Sequence, residues 1–149
     1  MTTVSPATRR KARHFGMQAL YQWQMTNASL NTIEAEFHTD NDMTHTDTAY
    51  FHELVHEVPA HVTELDEAYQ PYLNNRHQDK LDPITQALLR LATYEMTYRI
   101  DVPYKVVINE AVSLAKKFGA TDSYKFINGV LDKLAAKLRT IEIQEANKP

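Results

Sequence analysis

The fold class is decided by residues 82–98, which read DPITQALLRLATYEMTY. Asp82 is a favourable N-cap, and Pro83 fits the first helical position that follows it. The apolar side chains after them recur at helical spacing on one face: Ile84, Ala87, Leu88, Leu91, Tyr94 and Tyr98. The segment therefore predicts a long amphipathic helix.

The same period continues towards the C-terminus. Pro103 is predicted to open a further helix, which Gly119 ends as a C′ residue. Thr121 or Asp122 then caps a last helix with an apolar stripe at Tyr124, Ile127, Leu131, Leu134 and Leu138. Residues 140–149 have no helical stripe, so we expect this tail to fray.

The N-terminal half carries shorter helical patterns. Ser5 and Pro6 are an N-cap and first helical residue for a helix to about residue 26. Three shorter helices follow, and Pro59 ends or kinks the second of them. Residues 74–80 form a polar linker that could act as a hinge. About seven helices and no strand predict one all-α domain over residues 1–139.

The composition excludes several classes of protein. The 149 residues include no cysteine, which excludes disulfide frameworks, cysteine-ligated zinc, iron–sulfur clusters and thiol nucleophiles. Only three glycines are present and they lie far apart, so no glycine-rich phosphate loop can form. No apolar run approaches the roughly 18 residues of a membrane span, and the N-terminus lacks the apolar part of a secretory signal. We therefore expect a cytoplasmic protein.

The net charge of −3 is distributed unevenly along the chain. Residues 1–33 carry +4, residues 34–79 carry −10 and residues 80–149 carry +3. All four charges of the first block lie close together, at Arg9, Arg10, Lys11 and Arg13. Bases at a helix N-terminus oppose the helix dipole, so this cluster suggests a polyanionic partner. A charged, solvated terminus is the alternative.

The start of the last helix has a second feature of this kind. Phe126 falls off the apolar stripe, so we expect its ring to be partly exposed beside Lys125 and near Lys116 and Lys117. An exposed aromatic ring next to lysines at a helix N-terminus suits base stacking and phosphate binding. Burial of Phe126 against another helix is the alternative.

Residues 52–56 read HELVH and match the H-E-x-x-H pattern of zinc hydrolases. His52 and His56 could share a zinc ion, with Glu53 as the general base. A third ligand is not evident, because His61 is out of register and nothing marks Glu67. A solvated helix face with at most adventitious metal binding is the alternative.

Several longer segments resemble the NusB family of bacterial transcription antitermination factors over residues 8–139. The resemblance begins with RRKAR at 9–13 and QALYQW at 18–23, and continues with LLRLATYE at 88–95. It is strongest in DVPYKVVINEA at 101–111, LAKKFG at 114–119 and KFINGVLD at 125–132. The HELVH motif is not part of the family pattern.

The resemblance implies an all-helical fold of two packed subdomains and an RNA-binding adaptor rather than an enzyme, with no cofactor or resident metal. Its partners would be the single-stranded boxA element of nascent ribosomal RNA, the protein NusE (small-subunit ribosomal protein S-ten) and the RNA polymerase antitermination complex. The free protein would be a monomer or a homodimer.

The resemblance also assigns residues by position. The RNA contacts would be Arg9, Arg10, Lys11, Arg13, Lys117, Asp122, Lys125 and Phe126. The NusE side would include Tyr21 and, on the 82–98 helix, Thr85, Arg90 and Tyr94. A zinc hydrolase using His52, Glu53 and His56, or a helical scaffold that binds only protein, are the competing functions.

Overall fold

The computed structural model describes residues 4–149, which form eight α-helices and two short 3-10 turns. No strand occurs in this part of the chain, which confirms the all-α class. The helices are α1 (Pro6–Thr26), α2 (Leu30–Asp40), α3 (Thr48–Ala60), α4 (Val62–Tyr69), α5 (Pro83–Tyr98), α6 (Tyr104–Phe118), α7 (Ser123–Leu138) and α8 (Thr140–Ala146). The 3-10 turns are Gln70–Tyr72 and Gln78–Lys80. None of the described helices is long and apolar enough to cross a membrane.

The chain divides into two compact units, Met1–His61 and Val62–Pro149. The first unit contains α1 to α3, and the second contains α4 to α8. The polar segment 74–80, which we expected as a possible hinge, lies inside the second unit. The division instead falls directly after α3, one residue past the end of the helix that contains Pro59.

In the first unit, α1 begins as its sequence predicts. The hydroxyl of Ser5 accepts a hydrogen bond from the amide of Thr8 at 3.2 Å, and Thr8 Oγ1 accepts one from the amide of Ser5 at 2.9 Å. This reciprocal capping box satisfies amides that the helix itself leaves unpaired.

Gly16 lets α1 approach α3 closely. A Cβ built at this position would lie 3.0 Å from Leu54 Cδ1, which is tighter than ordinary van der Waals contact. Around this contact, the rings of Phe15, Phe37 and Phe51 pack with centroids 5.8–6.5 Å apart. The aromatic cluster ties all three helices of the first unit into one core.

In the second unit, α5 is the central helix and packs against α4, α6 and α7. Its cap is as predicted, since Asp82 Oδ1 accepts from the amide of Thr85 at 3.0 Å. Its burial is not confined to one stripe, because every residue from Ala87 to Met96 is buried. A helix surrounded on all sides must also bury polar side chains, here Arg90, Thr93 and Glu95.

Arg139 joins the C-terminal ends of α5 and α7. Its buried guanidinium donates to four backbone carbonyls at 2.9–3.2 Å, those of Glu95, Met96, Arg99 and Val102. It also donates to Glu142 Oε2 at 2.6 Å. Three of these carbonyls belong to the last turn and C-cap of α5, so Arg139 supplies donors that this helix end lacks.

The structure differs from the sequence expectation at the tail. Residues 140–149 were expected to fray, yet Thr140–Ala146 form α8. Glu142 accounts for the difference, since it pairs with Arg139 and accepts from the amide of Tyr104 at 2.9 Å. Although partial burial opposes ionisation, these hydrogen bonds lower the pKa of Glu142. One local ion pair and one long-range hydrogen bond therefore hold a segment that has no apolar stripe.

Gly119 ends α6 for a reason other than the predicted one. Its backbone is extended, with φ −86° and ψ 172°, rather than left-handed. A Cβ here would clash with Ser123 Oγ and would lie 2.7 Å from the carbonyl oxygen of Ala115. The glycine is required because the chain turns into α7 without room for a side chain.

Candidate nucleic-acid interface

Two of the four bases near the start of α1 pack against α3. The guanidinium of Arg9 lies 4.4 Å from the ring centroid of Tyr50, and that of Arg13 lies 5.6 Å from it. Arg9 Nε also lies 3.7 Å from Asp47 Oδ2, at the N-cap of α3. Arg13 is only 3% exposed. The expectation that all four bases form one RNA-contacting arm therefore does not fit Arg13, which is a packed side chain.

The other two bases point outwards. Arg10 and Lys11 are both exposed on the first turns of α1, and Arg9 beside them is half-buried. Arg9, Arg10 and Lys11 thus remain as the charged surface of α1, which we call the α1 basic edge. Its positive charge opposes the dipole of its own helix, and the first turn contains no acid.

The start of α7 carries a partly exposed aromatic ring that a basic side chain covers. Phe126 is half-buried, as its position off the apolar stripe predicted. The guanidinium of Arg76 lies 4.9 Å from the Phe126 ring centroid, and Lys125 on the same turn is exposed. Asp122 precedes the helix at φ 67° and pairs with Lys125, with Nζ 3.4 Å from Oδ1. We call Arg76, Asp122, Lys125 and Phe126 the α7 entry cluster.

Two further lysines lie at the end of α6, immediately before this cluster in the chain. Lys116 and Lys117 are exposed in the last helical turn, where positive charge is favourable to the dipole. Lys116 Nζ lies 4.8 Å from the ring centroid of Tyr124, and Lys117 Nζ lies 5.3 Å from that of Phe118. Both ammonium groups therefore lie over aromatic faces at the surface.

The residues of α5 that were assigned to the NusE side lie inside the second unit. Thr85 is 3% exposed and donates to Asp82 Oδ2 at 2.7 Å. Arg90 is 9% exposed and makes a two-pronged ion pair with Asp66, at 2.9 and 2.8 Å. Burial disfavours the charged guanidinium, but the Asp66 carboxylate outweighs it and raises the pKa of Arg90.

Tyr69 completes this network from α4. Its hydroxyl donates to Asp66 Oδ1 at 2.7 Å. Burial, together with that hydrogen bond, raises the pKa of Tyr69 far above 10. The network fixes α4 against α5, so Arg90 is a packing residue of this chain.

The tyrosines assigned to the partner side differ in exposure. Tyr94 is 5% exposed, and its ring stacks at 5.4 Å on that of Tyr98. Tyr21 is 38% exposed on α1, one helical turn before the exposed Met25. Of the four assigned residues, Tyr21 is therefore the one that presents a large side chain to solvent.

The two histidines of the HELVH motif face α2. His52 Nδ1 lies 2.8 Å and His56 Nε2 lies 2.7 Å from the carboxylate of Glu34. Spacing along the sequence leaves only His61 and Glu67 to consider as a third ligand and does not indicate Glu34. Helix packing alone brings Glu34 within reach, across 18 and 22 positions of sequence.

Arg76 was also missed. It is the one base of the strongly acidic block 34–79 and lies in the aperiodic segment after the first 3-10 turn. No local pattern pairs it with an aromatic residue 50 positions away. Its solitary positive charge was the available signal.

The fold and these surfaces define a small all-helical protein of two compact units, each of which carries exposed basic side chains. The model of the NusB family matches residues 10–136. The chain belongs to the NusB family.

Individual relatives agree with this assignment. The transcription antitermination protein NusB of Teredinibacter turnerae is 63% identical over 143 residues, which are 96% of this chain and 97% of the relative. That of Saccharophagus degradans is 60% identical, over 95% of this chain and 94% of the relative. Among solved structures, T. maritima NusB superposes with a TM-score of 0.77 at 28% identity, covering 92% of this chain and 94% of that one.

Proposed function

We propose that this chain is a non-enzymatic transcription antitermination factor that binds single-stranded boxA-type RNA together with NusE. Its high identity to antitermination proteins along nearly the whole chain supports the role in transcription. The observation that carries the RNA-binding part is the α7 entry cluster, where the guanidinium of Arg76 lies over a half-buried phenylalanine and the exposed Lys125 precedes that residue in the chain.

The chemistry of this cluster suits an unpaired base. A base with an open face can stack on an aromatic ring, and an arginine over the same ring adds a cation–π contact. Lys125, with Lys117 from the end of α6, supplies charge for the phosphates on either side. The carboxylate of Asp122 is an acceptor for base amino groups, which gives the cluster a means of sequence preference.

The α1 basic edge has a different role in the proposal. Arg10 and Lys11 are exposed and provide phosphate contacts that raise affinity without reading sequence. Arg9 takes part from its half-buried position, and Arg13 supports it by packing on Tyr50. The acidic block 34–79 would repel RNA. A basic partner such as NusE would offset this repulsion and so raise the affinity for RNA.

For the NusE contact, the exposed Tyr21 is the residue that the structure favours. Aromatic side chains of this kind are enriched at protein interfaces. The other three residues, Thr85, Arg90 and Tyr94, are buried. They would contribute indirectly, by fixing the position of α5 in the second unit.

A titration of fluorescently labelled boxA-type RNA, with and without NusE, tests the proposed function. We expect saturable binding that NusE strengthens, and weaker binding to a scrambled RNA of equal length. If the chain bound NusE but RNA binding did not depend on the chain, the protein would be a protein-binding scaffold. Loss of an associated hydrolytic activity on His56→Ala would favour the zinc hydrolase.

Neutralising the two exposed bases of the α1 basic edge, Arg10 and Lys11, should flatten the salt dependence of RNA binding. In an Arg10→Gln/Lys11→Gln double variant, we expect the slope of log affinity against log salt to fall by about 1.4, since each contact with single-stranded RNA contributes roughly 0.7. The measurement is fluorescence anisotropy at several salt concentrations.

The matched control is the Lys133→Gln/Lys137→Gln double variant, which removes the same charge from exposed positions towards the end of α7. Its slope should stay at the wild-type value. Equal slopes for wild type and the Arg10/Lys11 variant would remove the α1 basic edge from the RNA contact.

A further inference from the structure

We propose that Glu34, His52 and His56 form a binding site for a single divalent transition-metal ion, of which Zn²⁺ fits best, on the surface of the first unit. This site is separate from the residues assigned to RNA and does not depend on the proposed function. It also differs from the expectation that the protein has no resident metal.

Helix geometry brings the three side chains together. His52 and His56 are one turn apart on α3, so both rings project from the same face and their centroids lie 4.3 Å apart. Their neighbours Phe51 and Val55 are buried in the core, as is Ile33 next to Glu34 on α2. The packing of α2 on α3 therefore fixes the carboxylate opposite both imidazoles.

The distances suit one shared ion. His52 Nδ1 lies 2.8 Å from Glu34 Oε2, and His56 Nε2 lies 2.7 Å from Glu34 Oε1. The three ligand atoms all lie within 4.8 Å of one another. Zinc binds imidazole nitrogen and carboxylate oxygen at about 2.0–2.2 Å, so small rotations of these side chains suffice to surround it.

The donor set selects the class of metal. Two imidazoles and one carboxylate are borderline ligands that favour Zn²⁺ and its first-row neighbours over Mg²⁺ or Ca²⁺, which prefer oxygen ligands. Three protein ligands leave a fourth tetrahedral position to water. His52 is 61% exposed at the side chain, so the ion can enter from solvent and that position stays open.

The carboxylate of Glu34 already accepts hydrogen bonds from both imidazoles. Burial opposes ionisation of Glu34, but hydrogen bonds from His56 and His52 outweigh burial and lower its pKa. The carboxylate is therefore ionised at neutral pH. Each imidazole would bind the cation through the nitrogen that now faces Glu34, whose proton passes to solvent or is replaced by one on the other ring nitrogen. The cation would cross-link α2 to α3.

Isothermal titration calorimetry of the chelator-treated chain with Zn²⁺ tests the proposal, because it measures both the stoichiometry and the affinity. We expect one ion per chain, and at least a 10–100-fold loss of affinity in each of Glu34→Gln, His52→Gln and His56→Gln. Saturation at 100 times the dissociation constant should also lower the unfolding equilibrium constant by about 100-fold. That stabilisation should vanish in the same variants.

Two controls separate a built site from a chance one. His77 pairs with Asp79 at 3.2 Å and belongs to no group of three candidate ligands among the described residues, so His77→Gln should bind Zn²⁺ like the wild type. Glu53→Gln should also retain the ion, since Glu53 is not one of the three ligands. Equal weakening by His77→Gln and His52→Gln, or non-saturating binding in every variant, would show an adventitious ion only and overturn the proposal. If Glu34→Gln failed to fold, the comparison of His52→Gln with His77→Gln would decide, since His52 is exposed.

Discussion

Replacing Arg139 with methionine should destabilise the second unit by about 3–5 kcal/mol. The substitution keeps a long side chain but removes the guanidinium donor from four carbonyls at the end of α5 and in the following turn. The carbonyls of Glu95 and Arg99 keep a backbone amide donor, so the larger loss falls on those of Met96 and Val102. The substitution also leaves Glu142 without its cation. The loss of these donors and of the ion pair explains the size of the effect, since a buried acceptor left without a partner costs about 1–3 kcal/mol.

The measurement is urea denaturation followed by circular dichroism at 222 nm. The stability of Arg139→Lys should fall between those of wild type and Arg139→Met. An ammonium group keeps the charge, but its three donors cannot replace the planar set of guanidinium donors that serves five acceptors. The control is Lys137→Met, an exposed base two residues earlier, which should change stability by no more than about 0.5 kcal/mol. A midpoint for Arg139→Met within error of Lys137→Met would refute the capping role of Arg139.

The helices of this chain were predictable where a local signal defines them. Ser5 and Asp82 cap α1 and α5 as their residue types indicate, because an N-cap depends on atoms three residues away. The all-α class follows from the same local information. α8 could not be predicted because Glu142, besides its local pair with Arg139, accepts from the amide of Tyr104, which lies 38 positions away in the chain.

The burial of charged side chains in the candidate sites could not be predicted from the sequence. Helical periodicity predicts that an arginine lies at the surface, yet Arg13 and Arg90 are both buried. Arg90 is buried because Asp66, 24 positions away, provides two hydrogen bonds to its guanidinium. Arg13 is buried because Tyr50 on α3 provides an aromatic face. Neither partner can be found from spacing along one helix.

The exposed parts of the candidate interface were easier to predict. Arg10, Lys11 and Lys125 lie on the polar sides of their helices, and Phe126 lies off the stripe of α7. Their exposure depends only on helical phase. Arg76 and Glu34, in contrast, reach their partners through the packing of separate elements, so no reading of a single segment could have identified them.

Truncating Phe126 should weaken boxA-type RNA binding with little loss of stability. Stacking of a base on an aromatic side chain is worth about 1–3 kcal/mol, so we expect Phe126→Ala to raise the dissociation constant by roughly 5–150-fold. The ring is only half-buried and lies against Arg76, so its removal should open no large cavity in the core. Anisotropy with labelled RNA measures the affinity, and thermal unfolding followed by circular dichroism measures the stability.

Two further variants distinguish stacking from packing. Phe126→Leu keeps an apolar side chain of similar size without a π face, so it should lose nearly as much RNA affinity as Phe126→Ala while preserving the unfolding midpoint. Phe126→Tyr keeps the π face and should bind within about twofold of wild type, because stacking tolerates a hydroxyl at the ring edge. Arg76→Gln should weaken binding less than Phe126→Ala, since it removes charge and the cation–π contact but leaves the ring. If Phe126→Leu bound RNA as tightly as wild type, the ring would serve only to fill space at the start of α7, and the α7 entry cluster would not hold a base.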